Sequence, residues 1–331
     1  MDFTELIDLA SERVGGAVLI ANDEFFAQKE NLLKPTAPIF LEGEYTDRGK
    51  WMDGWETRRR RTPGFDWCII RLGLPGIVRG VIVDTSYFRG NYPEHFSLEG
   101  ATLKGLPTED QLISDAITWI PLLPQMALAG DSHNKFAIQY DERITHLRLK
   151  IYPDGGVARL RVFGEVAPDW ESLRQRGGEV DLAAVENGGV VASCSDMFFG
   201  HRHNLIMPGR AANMSDGWET KRRRGPGHDW VIIKLGAAGQ IKRVEVDTSH
   251  FKGNFPESCS LEACNVESGA EGDLSDPSIA WQNVLARTKL QAHTRHTFAD
   301  ELMHTGTVTH LRFNIFPDGG VSRLRVFGQL A

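Results

Sequence analysis

The chain is written twice. Ile7 to Gly16 (IDLASERVGG) reappears as Val180 to Gly189 (VDLAAVENGG), and Phe25-Phe26 with Asn31-Leu32 reappear as Phe198-Phe199 with Asn204-Leu205. The first copy then carries ten extra residues around Phe40 to Lys50, an insertion of the kind that belongs in a surface loop. Beyond it Asp53-Gly-Trp-Glu-Thr57 matches Asp216-Gly-Trp-Glu-Thr220, Val83-Asp-Thr-Ser86 matches Val246-Asp-Thr-Ser249, Gly90-Asn91 matches Gly253-Asn254, and His146 to Gly164 matches His310 to Gly328. The copies span 7–164 and 180–328, joined by a polar stretch with Pro168, Gly177 and Gly178 that has the composition of a linker. A chain of 331 residues also exceeds the roughly 250 to 300 at which one core stops growing. Two domains are expected, 1–168 and 169–331.

The period inside each copy is two, which marks strands. Leu147, Leu149 and Ile151 face one way while His146, Arg148 and Lys150 face the other, and Leu311, Phe313 and Ile315 repeat the pattern. Pro153-Asp-Gly-Gly156 and Pro317-Asp-Gly-Gly320 then turn the chain into Leu160-Arg-Val162 and Leu324-Arg-Val326, predicting a closing hairpin in each copy. Cys68-Ile-Ile70 and Val81-Ile-Val83, like Val231-Ile-Ile233 and Val244 to Val246, read as separate short strands of a sandwich. Helix is scarce: Leu6, Ile7, Leu9 and Ala10, stopped by Gly15-Gly16, predict one short amphipathic segment. The fold class is all-β, two tandem sandwiches from an internal duplication.

Composition narrows the partners. A net charge of −7, from 37 Lys plus Arg against 44 Asp plus Glu, opposes nucleic acid or an anionic membrane as the general partner. No segment approaches the ~18 apolar residues of a membrane span, and the N-terminus has no signal-peptide form, so a cytoplasmic protein is expected. The four cysteines, Cys68, Cys194, Cys259 and Cys264, show no CxxC spacing and read as reduced thiols. Two basic runs, Arg58 to Arg61 and Lys221 to Arg224, each follow an acidic pair, and read as local sites for a small anion.

Strand, LG turn, strand ending in Asp, and a final Val-Phe-Gly together resemble the galactose-binding-like jelly roll. The sharper resemblance is to the allantoicase family. It is carried by DGWETRRRR (53 to 61) and DGWETKRRR (216 to 224), by DW(C/V)II(R/K)LG, by VDTSxF(R/K)GNxPE, and by PDGG followed by RLRVFG. These motifs run in order, twice, over most of the chain. The resemblance implies a two-domain jelly-roll hydrolase, active as a homo-oligomer, that cleaves allantoate to (S)-ureidoglycolate and urea in purine (allantoin) catabolism and nitrogen use. It implies no obligatory cofactor, although a divalent metal such as manganese is associated with some members.

That reaction dictates its site. Allantoate carries one carboxylate and two ureido groups on one carbon. Loss of urea requires an acid to protonate the departing nitrogen, electron push from the other ureido group to form an acyl-imine, and a base to deliver water. An arginine fork matches the two oxygens of the carboxylate. Candidates for acid and base are Asp53, Glu56, Asp216 and Glu219, with Asp247 and His250 beside the matched Gly-Asn loop. Candidates for binding are Arg58, Arg59, Arg60, Arg222 and Arg223, with Asn91 and Asn254 for a ureido oxygen. If the arginines alternate, at most two of three point into one pocket.

Each candidate also has a purely structural use. Asp53-Gly54 suits a turn, Trp55 a core, Glu56 an ion pair; Asp84 and Asp247 suit Asp-Thr-Ser turns, Asn91 and Asn254 a φ > 0 position, and Phe88 and Phe251 the core. His201 and His203 lack a third ligand at zinc-like spacing. A discoidin-like tandem module for small ligands or carbohydrate, without catalysis, is the alternative function, and a structural subunit a third. The copies differ at Arg58/Lys221, Phe65/His228, Tyr87/His250 and His95/Ser258. Because histidine titrates near neutral pH, the second copy is expected to hold the productive site.

Overall fold

The computed structural model describes residues 2–266, 274 and 279–331, and the chain separates into two compact units, Met1–Pro168 and Asp169–Ala331. Each is a jelly-roll β-sandwich organised around one very long strand, Asp66–Asp84 in the first unit and Asp229–Asp247 in the second. The first half of Asp66–Asp84 pairs with Ala17–Ala21 and Ile144–Tyr152, and the second half with Arg159–Val166 and His133–Ala137. One strand therefore belongs to both layers. His95–Ala101 and Ile120–Ala127 extend the first layer, and Ile7–Asp8 extends the second. Unit two repeats the plan.

This corrects three expectations. The segments around Ile70 and Val83 are not separate strands with an LG turn between them: Leu72 and Leu74 are buried and the chain continues extended through Pro75 and Gly76. Nor do the two strands flanking Pro153-Asp-Gly-Gly156 form a hairpin. Ile144–Tyr152 pairs with one half of the long strand and Arg159–Val166 with the other, so the turn carries the chain from one layer to the next. The start of the copy is not an amphipathic helix either. Ile7–Asp8 is an edge strand paired with Phe163 and Gly164, and Asp8 Oδ1 accepts from the amides of Val162 and Ala10 at 3.0 and 3.2 Å, bonds that a helix would forfeit.

The alternating residues behave as the period requires. Leu147, Leu149 and Ile151 in one unit and Leu311, Phe313 and Ile315 in the other are fully buried between the layers. Trp55 and Trp218 are also fully buried, each anchored by an indole N–H donated at 2.8 Å to the carbonyl of Asp23 or Asp196. Phe88 and Phe251 are core residues. The insertion in the first unit forms a small hairpin, Tyr45–Thr46 with Gly49–Lys50, lying against Phe25 and Phe26. No helix among the described residues is long and apolar enough to cross a membrane.

Candidate functional site

The interlayer turn builds the site. Gly156 pairs across a two-residue ladder with Glu56, while its N–H donates at 2.7 Å to the carbonyl of Asn91. Gly320 does the same for Glu219 and Asn254, its N–H donating at 2.8 Å. A glycine is required because a Cβ on Gly156 would stand 1.9 Å from the Phe88 ring, and one on Gly320 1.9 Å from Phe251. Two segments far apart in sequence are thereby held side by side, and their side chains meet. Asn91 Nδ2 donates to Glu56 Oε1 at 2.7 Å, and Asn254 Nδ2 donates to Glu219 Oε1.

The two glutamates sit in different surroundings. Glu56 is buried, in a recess of about 320 Å³ that also presents Lys50, Tyr87 and Arg89. Burial pushes its carboxyl above the usual range, with the Asn91 bond opposing. Glu219 is half-buried in a cleft of about 650 Å³ that it shares with Arg222, Arg223, Asn254 and Lys289. Phe199 lines that cleft and is 62% exposed, as its neighbour Phe198 is at 70%. The corresponding Phe25 is only 38% exposed, because Arg48 from the insertion hairpin covers it.

The basic runs divide their labour residue by residue. Arg58 is spent on Asp23, with Nε and Nη2 both 2.6 Å from Oδ2, and Lys221 reaches Asp196 in the same way at 3.4 Å. Arg60 binds the buried Asp66 at 2.7 Å, and Arg223 binds the buried Asp229. The backbone N–H of each also donates at 2.8 Å to the turn carboxylate, Asp154 or Asp318. Arg58, Arg60 and Arg223 are thus each paired with a carboxylate of their own unit, and of the three only Arg223 lines the glutamate cleft. Arg59 and Arg222 are exposed and make no hydrogen bond or ion pair with the described residues. Of these two, Arg222 lines the glutamate cleft.

Four other expected acid–base residues are placed elsewhere. Asp53 accepts from the fully buried Arg159 at 2.7 Å and from the amide of Ile39 at 3.0 Å. Burial would raise its carboxyl, but these bonds outweigh it and hold the group below the usual range. Asp216 pairs with Arg323 at 2.9 Å. Both aspartates thus neutralise a buried guanidinium and do not line the glutamate pockets. Asp247, like Asp84, caps its own turn, accepting at 2.8 Å from the amide two residues on. His250 does not line the Glu219 cleft: its Nε2 lies 3.0 Å from the Ala211 carbonyl, and its backbone is left-handed, φ 70°, as at the equivalent Tyr87, φ 69°. His228 packs on Phe316 and bonds Asn314, so neither histidine joins the dyad.

The His201 and His203 rings meet edge to face with centroids 4.9 Å apart, and burial with the charges of His201 and Arg202 pushes the pKa of His203 down to about 3. Among the described residues no three His, Cys, Asp or Glu side chains converge as a metal set. The described residues therefore offer no such donor trio for manganese. All four cysteines are free thiols.

The allantoicase repeat family model matches residues 7–167 and 180–331. The chain is 50% identical over 328 residues to a probable allantoicase of Pseudomonas aeruginosa, covering 99% of this chain and 97% of that one. It is 48% identical over 325 residues to probable allantoicase 1 of Burkholderia mallei, covering 98% and 94%. The crystal structure of allantoicase from Saccharomyces cerevisiae superposes with a TM-score of 0.79 at 36% identity, covering 97% of this chain and 92% of that one. Both repeats are matched, and the relatives are matched over almost their whole length. This chain belongs to the allantoicase family.

Proposed function

We propose that the chain hydrolyses allantoate to ureidoglycolate and urea in purine catabolism, and that the Glu219 cleft of the second unit carries the chemistry. One observation carries this reading: Glu219, Asn254 and Arg222 line a single cleft, while the remaining acid–base candidates of that unit are tied into turns and buried ion pairs. Arg222 forks onto the substrate carboxylate. Glu219, oriented by Asn254, protonates the departing ureido nitrogen as the C–N bond breaks. The lone pair of the other ureido nitrogen forms the C=N bond of a protonated acyl-imine. Glu219, now a carboxylate, takes a proton from water as its oxygen bonds to carbon, which yields ureidoglycolate and restores the acid. Atoms balance as allantoate plus water giving ureidoglycolate plus urea, with no cofactor.

The first unit holds the same Glu–Asn pair in a smaller recess, beside Arg89, which is committed to Asp131 at 3.1 Å. It supports the second unit. The enzyme acts in the cytoplasm as a homo-oligomer; the exposed Phe198–Phe199 pair supports a surface covered by another subunit. Sedimentation tests that assembly. The activity is tested by incubation with allantoate while urea and ureidoglycolate are measured, for the native protein and for Glu219→Gln. Absence of both products from the native protein ends the reading.

A further inference from the structure

We infer that Lys289 determines specificity for a carboxylate-bearing substrate, holding that group jointly with Arg222. This rests on assigning the reaction to the Glu219 cleft. Lys289 is the last residue of the strand Gln282–Lys289, is exposed, and lines the cleft together with Glu219, Arg222 and Asn254. No sequence motif announces it.

The charges around it leave it uncommitted. Two other carboxylates line the cleft, Glu257 and Asp318. Glu257 accepts from Ser258 Oγ at 2.5 Å and from Arg287 at 3.1 Å, bonds that hold it below the usual carboxylate range, with the charge of Lys289 only adding to them. Asp318 accepts from the amide of Arg223 at 2.8 Å, and the Arg223 guanidinium is spent on Asp229. The Lys289 side chain makes no hydrogen bond or ion pair with the described residues. The cleft therefore offers two free cations, one a planar fork and one a compact ammonium on a flexible stem, which together can saturate both oxygens of a carboxylate.

The first unit places its cations differently. Lys289 lies opposite Ser258 in the ladder, and the residue that holds the same place opposite His95 is Ala127. Arg59, the counterpart of Arg222, does not line the Glu56 recess either. The Glu56 recess presents two other cations, but Lys50 comes from the insertion hairpin, with Nζ 4.4 Å from the Phe40 ring centroid, and Arg89 is paired with Asp131 at 3.1 Å.

Steady-state kinetics of the full-length protein test this with allantoate and with its uncharged methyl ester. A hydrogen bond to a charged group is worth about 10- to 100-fold. Lys289→Met is expected to raise KM for allantoate by that factor with kcat little changed, to leave KM for the ester unchanged, and Lys289→Arg to recover much of the loss. Ala127→Lys should change nothing. An unchanged KM in Lys289→Met, with Glu219→Gln inactive, overturns the role of Lys289 and leaves the cleft assignment standing. An equal rise for acid and ester also overturns it, since it would mark a merely structural lysine. Full activity in Glu219→Gln overturns both.

Discussion

Asn91 Nδ2 donates to Glu56 Oε1 at 2.7 Å, and Asn254 makes the same bond to Glu219, the partners standing 35 residues apart in each unit. An amide that donates to one carboxylate oxygen fixes the carboxyl plane and leaves the other oxygen for a substrate. If the second unit performs the chemistry, Glu219→Gln lowers kcat by about 10² to 10⁴, the usual worth of a general acid or base, whereas Glu56→Gln leaves most of it. Both variants should be confirmed as folded by circular dichroism. Equal losses in the two would show two equivalent sites.

Arg222 and Arg58 lie in corresponding basic runs but differ in what they touch. Arg222→Gln is expected to raise KM for allantoate by about 10- to 100-fold, because it removes a charged hydrogen bond to the carboxylate. Arg58→Gln breaks a surface pair with Asp23, worth about 1 kcal/mol or less, and should leave KM unchanged. Initial-rate measurements on the two variants separate these outcomes.

Asp53 and Arg159 form an ion pair inside the first unit, with the Arg159 side chain 1% exposed. Removing one partner strands a buried charge. Asp53→Asn should therefore cost about 3–5 kcal/mol in urea denaturation without a selective rise in KM. A stable variant with poor catalysis would return Asp53 to the list of acid–base groups.

His146 is buried with Nδ1 2.8 Å from Thr145 Oγ1, and burial, helped by the charge of Arg71, pushes its pKa down from 6.5 to about 4. Between these values the unfolded chain binds the proton and the folded chain does not, so stability is full above about pH 6.5 and falls as pH drops toward 4. The loss approaches about 3 kcal/mol at 1.36 kcal/mol per unit. Denaturation midpoints measured from pH 7 to 4 should show the fall, and His146→Gln should flatten it. An unaltered slope in that variant would assign the effect to other groups.

The absence of a converging donor trio among the described residues leads to a simple expectation for chelation. Dialysis against excess EDTA leaves kcat and KM unchanged. Loss of activity that returns with manganese would require ligands beyond those groups.

Much of this architecture is legible in the amino-acid order, because a duplication prints every structural requirement twice. The buried alternation of Leu147, Leu149 and Ile151, the Gly-Gly turn and the Glu and Asn of the dyad all stand out on that ground. What escaped depends on contacts between distant segments. Pro75 and Gly76 carry the ordinary marks of a turn, yet flanking strands on both sides keep the chain extended through them. Period-two reasoning limits how many arginines face one way but cannot see that Asp23 and Asp66 have already taken Arg58 and Arg60. His250 looks like an acid–base group until the fold sets its ring against the Ala211 carbonyl, outside the cleft. Lys289 sits in no motif, and only the register of its strand brings it to the cleft.

The long strand that serves both layers has a mechanical consequence. With Asp66–Asp84 and Asp229–Asp247 each stitched to four partner strands, neither layer can slide or hinge on its mate without tearing a ladder shared by both. Each repeat should therefore open as one block, its central amides exchanging with solvent at a common, slow rate. Any adjustment that admits substrate or releases urea falls to the loops bearing Arg222 and Asn254, above a floor that does not yield.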